Sequence, residues 1–439
     1  MPRPAVIILG AGAAGMAAAA ALSQERVSTL ILEARDRIGG RIHTLNDPAF
    51  PIPIDMGAEY VHGDPQATWK IIREAKLIAH DVPFDHHELR GHRMVHLQDF
   101  SQEISKIMTG VPKADLSFAE FLRKHKARPD LANARRLAIH FVQGFDAADP
   151  QLASTQSIAE EWEGIGDIEE EAQHRILEGH RAIIDHLHQS LDRKRVQIRL
   201  NTPVSEISWQ RSKVTCKAGR KTFTARKIIV TLPLGLLQIP PDAPGAIRFV
   251  PDIPRKRIAA NRLGSGPVVK ALFKFREPFW ENPAVGRAVH VKEGLQKAVF
   301  LNAPDLPFPT WWTALPLRLS MLTAWAGGPK ARALAGLPRA MLIDTAIDSL
   351  SKLLHQPRAR LLSLLEKAHV YDWLSDPFSR GAYSYATVGS KRARNLLAKP
   401  IEKTLFFAGE ATDTEGQAST VAGALASGQR AAKEVLASL

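Results

Sequence analysis

A single cysteine, Cys216, stands in 439 residues. That scarcity excludes internal disulfides and any cysteine-rich metal centre. Long apolar runs are missing too. No stretch approaches the roughly 18 uninterrupted apolar residues of a membrane-spanning helix. The opening "MPRPAVIILG" has one arginine and a short apolar run that meets a glycine. It reads as a buried strand rather than a secretory signal, and a cytoplasmic protein is expected. Acidic residues are outnumbered, 45 against 58 basic ones, for a net charge of +13. The lysines and arginines are scattered rather than gathered into a stripe, and neither zinc-finger spacing nor a basic zipper occurs, so no nucleic-acid partner is expected. The same charge suits a strongly cationic substrate badly unless the site is locally acidic. Repeats and low-complexity linkers are also absent. With 45% apolar and 23% charged residues the composition is that of an ordinary globular protein, and the length suits about two to three domains.

Residues 5–10, "AVIILG", read as a strand, "AGAAGMAAAAALSQE" as a helix, and "VSTLILEAR" as a second strand. In this β–α–β unit Gly10 permits the tight turn, Gly12 lets backbone approach a pyrophosphate, and Gly15 lets helix and strand pack closely, with Ala14 between them. The helix N-terminus offers unpaired N–H donors to phosphate. Glu33 ends the second strand, where a carboxylate can bind ribose hydroxyls, and an acid there argues against a 2′-phosphate. Further helices are expected over 66–80, 116–140, 175–193 and 338–366. Strands are expected at 196–200, 204–210, 213–219, 227–233 and 266–275, and in "AVFLNA". The end, "TLFFAGEA" and beyond, reads as strand, loop and final helix. Strand–helix units at both ends of the chain suggest one nucleotide-binding domain built from distant segments (1–80, 195–250 and 395–439), with a substrate domain from 81–194 and 251–394. In "GPVVKALFKF" alternation puts Val269, Ala271, Phe273 and Phe275 on one face and Val268, Lys270, Leu272 and Lys274 on the other. On that pattern alone Lys270 and Lys274 look equally solvated.

The segment "EARDRIGGRIHT" carries Glu33, Ala34, Arg35, Gly39, Gly40 and Arg41. Here the chain resembles the flavin-dependent amine oxidases, whose fingerprint continues past the acidic residue into a second glycine pair and an arginine. The resemblance runs in order through "DMGAEYVHG" (Gly57, Ala58, Glu59), "LNTPVSEI" (Val204), "IIVTLPLGLL", "RLGSGPVVKALFKFREPFW", "WLSDPFSRGAYSY" and "LFFAGEATDTEGQASTVAGALASGQRAA" (Gly409, Glu410, Thr420, Val421). It is weakest over about 85–175. It implies an α/β plus α+β fold: a Rossmann-like FAD-binding domain of discontinuous segments with an inserted mixed-sheet and helical substrate domain. It implies that Glu410 bonds ribityl hydroxyls, and that the last helix, starting at Thr420 and Val421, points its N-terminus at the flavin carbonyls.

By the same resemblance Lys270 is the lysine that holds a water beside the flavin N5, and Trp373 and Tyr383 flank the substrate amine. The position facing Tyr383 is Thr420, so the aromatic cage of the monoamine oxidases is half-built. No cysteine occurs between 401 and 439, so the FAD is expected to be non-covalent. His62 matches a histidine near the substrate channel of polyamine oxidases. The implied reaction is oxidation of a primary or secondary amine, polyamines included, by hydride transfer to FAD, with O2 as the reoxidant and hydrogen peroxide as product, in a monomer or homodimer. The alternatives are an L-amino-acid oxidase, a desaturase or other FAD oxidoreductase of the same fold, and a non-enzymatic flavin-fold partner protein.

Two stretches stand apart. "DHHELRGHRMVH" resembles a metal tract, but its spacing matches no regular site; it is read as an exposed loop, and no metal is expected. "EEWEGIGDIEEE", 160–171, has seven acids in twelve residues and is read as a solvated acidic turn that can also draw cationic amines.

Overall fold

The computed structural model describes residues 4–97, 100–108, 110–125, 128–165, 172–243, 245–292 and 294–439. Val6–Leu9 is the central strand of a five-stranded parallel sheet. The order is Val196–Arg199, Thr29–Leu32, Val6–Leu9, Lys227–Val230 and Leu405–Phe407. The central strand is apolar on both faces because both are covered. Val6 and Ile8 pack into the helices Ala13–Gln24, Arg181–Gln189 and Val421–Leu436. Ile7 and Leu9 pack into a second sheet built from Glu206–Gln210, Lys213–Ala218, Lys221–Ala225 and Arg248–Val250. Cys216 is fully buried in that second core, where burial pushes its thiol up to about 12. It is a packing residue with no reactive thiolate.

A seven-stranded sheet forms the other body. Its order is Leu365–Asp372, Val268–Phe275, Met321–Gly327, Thr310–Thr313, Phe300–Asn302, His86–Arg90 and Arg93–His96. Val269, Ala271, Phe273 and Phe275 face a core shared with the helix Arg339–Leu354. The opposite face, carrying Lys270, Trp325, Trp312 and Phe300, looks into a cavity. Four helices with a core of their own, Phe100–Met108, Phe118–Lys124, Ala132–Gly144 and Thr155–Ile165, stand beside that cavity. Among the described residues no helix is long and apolar enough to cross a membrane.

The mixed α/β architecture expected from the sequence is found, with several local differences. The expected helix 175–193 is a strand, Gln173–Ile176, and then a shorter helix, Arg181–Gln189; Gly179 between them has φ +77°, a conformation that no helix tolerates. The helix expected over 66–80 stops at Glu74 and is followed by the strand Ala79–Val82. The expected helices 116–140 and 338–366 are each broken near a proline, Pro129 and Pro357. The expected loop "DHHELRGHRMVH" is a β-hairpin, His86–Arg90 against Arg93–His96. The expected acidic turn at 160–171 is helix where it is described, since residues 160–165 end the helix Thr155–Ile165, and residues 166–171 lie outside the described residues.

Candidate functional site

The first strand turns at Gly10, with φ +108°, where a Cβ would meet the Thr231 hydroxyl at 2.6 Å. A Cβ on Gly15 would lie 2.0 Å from the Gly10 carbonyl oxygen, so helix and turn touch backbone to backbone. Gly12 caps the helix Ala13–Gln24 without any side-chain bond to its N–H groups, which leaves them for an anion. Gly40 packs on Gly12: its Cβ would sit 3.2 Å from the Gly12 Cα. Arg37 fixes this second glycine turn through the Gly40 and Ile42 carbonyls, at 2.9 and 3.1 Å. Glu33 is buried at the strand end, accepting from the Ala11 N–H at 2.7 Å and the Arg35 N–H at 2.9 Å. A carboxylate has about four acceptor sites, so two remain.

Arg35 is bonded to Asp376 through both oxygens, at 2.8 and 2.7 Å, and to the Ser379 hydroxyl at 2.9 Å. Its guanidinium thus clasps the loop 376–379 to the rim of the cavity. Arg41 pairs with Glu410 at 3.0 Å and donates to the Ala382 carbonyl. Burial alone would raise the Glu410 carboxyl; Arg41 and Arg394 outweigh it and hold the group below its usual range. Arg41 and Gly57 run in contact, since a Cβ on Gly57 would fall 1.9 Å from the Arg41 carbonyl oxygen. At the far end Thr420 caps the helix Val421–Leu436 by accepting from the Gly423 N–H at 3.0 Å.

These parts line one cavity of about 1330 Å³. Small-ligand pockets fill roughly 300–1,000 Å³, so it has room for a dinucleotide and a substrate together. Gly10, Gly12, Ala14, Glu33, Ala34, Arg35, Gly40, Arg41, Gly57, Ala58, Glu59, Val204, Gly409, Glu410, Thr420 and Val421 all line it, as do Lys270, Trp373, Tyr383 and His62. Gly15 lies just behind, in the helix–turn contact. The open helix N-terminus, the close glycine approaches and the carboxylate at the strand end fit the donor and acceptor pattern of FAD. Cys216 is not in the lining, so no thioether to the cofactor can form.

Lys270 is 1% exposed. Its ammonium is 2.6 Å from Glu59 and 3.3 Å from the Gly57 carbonyl oxygen, and it lies 5.6 Å from the centre of the Trp312 ring. Lys274, four residues on, reaches the surface and pairs with Glu366. Glu59 has a second cation: Arg175 is 2.8 Å from its other oxygen, which also accepts from the Trp312 indole at 3.1 Å. Burial would raise the Glu59 carboxyl, but Lys270 and Arg175 together hold it down. Both oxygens of Glu59 are therefore engaged, and it acts on the site by holding Lys270. Arg175 also bonds the Thr313 carbonyl at 3.2 Å and the Tyr60 hydroxyl. Arg175 does not stand out in the sequence, because its segment has the spacing of an amphipathic helix.

Trp373 donates to the Met56 carbonyl at 2.9 Å and packs on Tyr371 with ring centres 4.4 Å apart. Tyr383 donates to the Phe145 carbonyl, which fixes its ring on the cavity wall. His62 sits edge-on to Phe145 at 5.3 Å; burial, and then His180, lower its imidazole to about 4. It is neutral at physiological pH and does not repel a cation. Next to this aromatic group the wall turns acidic. Asp146, Glu160 and Glu161 line it. Asp146 is 8% exposed, and its carboxyl shares a side-chain hydrogen bond with Glu161. Burial, and next the charge of Glu161 and that hydrogen bond, push its carboxyl well above the ordinary range. Asp146 was not singled out from the sequence, since "GFDAADP" carries no motif.

A family model for flavin containing amine oxidoreductase matches residues 13–128 and 89–436. Polyamine oxidase 3 of Oryza sativa subsp. japonica is 30% identical, over 98% of this chain and 89% of that protein. Lysine-specific histone demethylase 2 of Homo sapiens is 28% identical, over 98% of this chain and 53% of that protein. Among solved structures, putrescine oxidase bound to putrescine has a TM-score of 0.79 at 21% identity. Cyclohexylamine oxidase from Brevibacterium oxydans IH-35A has a TM-score of 0.78 at 22% identity. Each covers 99% of both chains, which shows the fold.

Proposed function

The chain belongs to the flavin containing amine oxidoreductases, and from that premise we propose that its substrate is an amine with a second cationic nitrogen, a diamine or polyamine. FAD, when bound, supplies a two-electron acceptor for the amine C–H, and O2 takes the electrons on to hydrogen peroxide. The chain's own residues bind and orient. Trp373 and Tyr383 offer aromatic walls to the reacting end. Lys270 has three ammonium donors; Glu59 and the Gly57 carbonyl take two, and the third is available to a water in the cavity. Its positive charge also disfavours a protonated amine close by, so the reacting nitrogen is held in its neutral form.

The observation that carries the reading is the buried carboxyl group of Asp146, with Glu160 and Glu161 lining the same cavity. A chain of net charge +13 places carboxyl groups on the wall of this cavity, near Tyr383, where a second ammonium can pair with them. The relatives named as polyamine and putrescine oxidases support the same class. The test is a peroxide assay with a ladder of linear diamines against monoamines of equal length. Asp146→Asn is expected to raise KM for diamines by about tenfold or more, the weight of a charge-assisted contact, and to leave the monoamine KM within twofold. Equal changes for both series would refute the assignment.

A further inference from the structure

The hairpin that the sequence disguised as a loop carries a second site. His87 and His96 are directly paired residues on its two strands, so both side chains leave the same face. Asp85, two residues before His87, shares that face. The Nδ1 of His87 is 3.0 Å from Oδ1 of Asp85, and the Nε2 of His96 is 3.1 Å from Oδ2 of Asp85. One donor atom from each of the three lies within 4.8 Å of the others. His87 Nδ1 and Asp85 Oδ1 are buried and, apart from their mutual contact, have no hydrogen-bond partner among the described residues. Two histidines and a carboxylate arranged so, with His96 partly in solvent, leave one coordination position open to water.

We propose that Asp85, His87 and His96 form a binding site for a divalent first-row transition metal at the edge of the hairpin face turned away from the cavity, the face on which Leu89 and Met94 join the core. The donor set is the borderline nitrogen–oxygen type that suits Zn2+ and its neighbours. With bonds of about 2.0–2.1 Å, tetrahedral donors stand about 3.3 Å apart, so small side-chain rotations close the present arrangement around an ion. The location gives the site a consequence. On the other face of the same strand, His86 stacks on Phe300 at 4.4 Å, and both line the amine cavity. Glu88, also on that inner face, is bonded to Arg90 and Arg136. A metal on the face away from the cavity would tie the edge strand Arg93–His96 to the strand that walls the substrate space.

The experiment uses the FAD-loaded enzyme, freed of metal with a chelator and desalted. Co2+ is titrated in and followed by its ligand-field absorption beyond the flavin bands, and Zn2+ is then added as a competitor. A band saturating at a single metal per chain, displaced by Zn2+, absent from His96→Ala and Asp85→Asn, and accompanied by a Zn2+-dependent rise in Tm in the wild type only, is expected. The metal-free variants should keep their FAD content and Tm, which separates loss of a ligand from loss of fold. Absence of a saturable band in the wild type, or its survival in both variants, overturns the site and leaves the three residues as a plain hydrogen-bonded cluster.

Discussion

Lys270, Glu59 and Arg175 form a buried arrangement of two cations on one carboxylate. Removing the shared partner leaves both cations uncompensated. Breaking a buried pair in this way costs about 3–5 kcal/mol, so Glu59→Gln should lower the Tm of the apoprotein sharply. Adding Lys270→Met to that variant should restore part of the loss, because one stranded charge goes with it. A Tm series over the two singles and the double checks this, and additivity would contradict the coupling. Asp146 makes a different residue-scale prediction. Its raised carboxyl holds a proton in the free enzyme to a higher pH than an ordinary aspartate. Pairing with an ammonium requires the ionised form, so the proton must leave on binding. Below the raised value, diamine affinity should therefore tighten as pH rises, by up to about tenfold per pH unit, with proton release seen calorimetrically in buffers of different ionisation enthalpy. Asp146→Asn should flatten the profile. A diamine affinity that tightens equally with pH in the variant would contradict the role.

At the scale of elements, the first and last helices meet through glycine. A Cβ on Gly428 would lie 2.2 Å from the Ala14 carbonyl oxygen, and neither helix can move without disturbing the cavity rim at Ala13, Ala14 and Val421. Gly428→Ala is expected to cost about 1–3 kcal/mol by overpacking and to weaken FAD retention, measured as the flavin-to-protein absorbance ratio after desalting. An unchanged ratio and Tm would show that the helices yield freely. The same elements show what a sequence discloses. The glycine turn and Glu33 were legible because a nucleotide loop demands particular residues at particular steps. The lysine strand was legible because period-two alternation survives in it. Arg175 was not, because "RILEGHRAII" has helical spacing and the left-handed turn at Gly179 outweighs it. Asp85, His87 and His96 were not, because their relation is across strands: pairing in the hairpin, not spacing along the chain, brings them together.

Over the whole molecule, the sequence left a tension between a strongly basic chain and a cationic substrate. The cavity answers it with local acids. Arg35, Arg37 and Arg41 surround the glycine turns and the Glu33 end, Asp146 and Glu161 lie near Tyr383 with Glu160 on the same cavity wall, and Arg394 lies within electrostatic reach of Glu161. The parallel sheet assembles its strands from residues as far apart as Val6 and Phe407, so the cofactor end is fixed by the whole chain. The substrate end is framed by the seven-stranded sheet and the helix group that carries Asp146 and Glu161 close to it. The central claim, that this cavity oxidises amines bearing a second positive charge, is tested most directly by anaerobic rapid mixing of the FAD-loaded enzyme with a linear diamine and with its monoamine of equal length. The oxidised flavin bands are expected to bleach with both, and the diamine to half-saturate at a lower concentration, an advantage lost in Asp146→Asn. Bands that no amine bleaches, or a diamine advantage that survives the substitution, would contradict it.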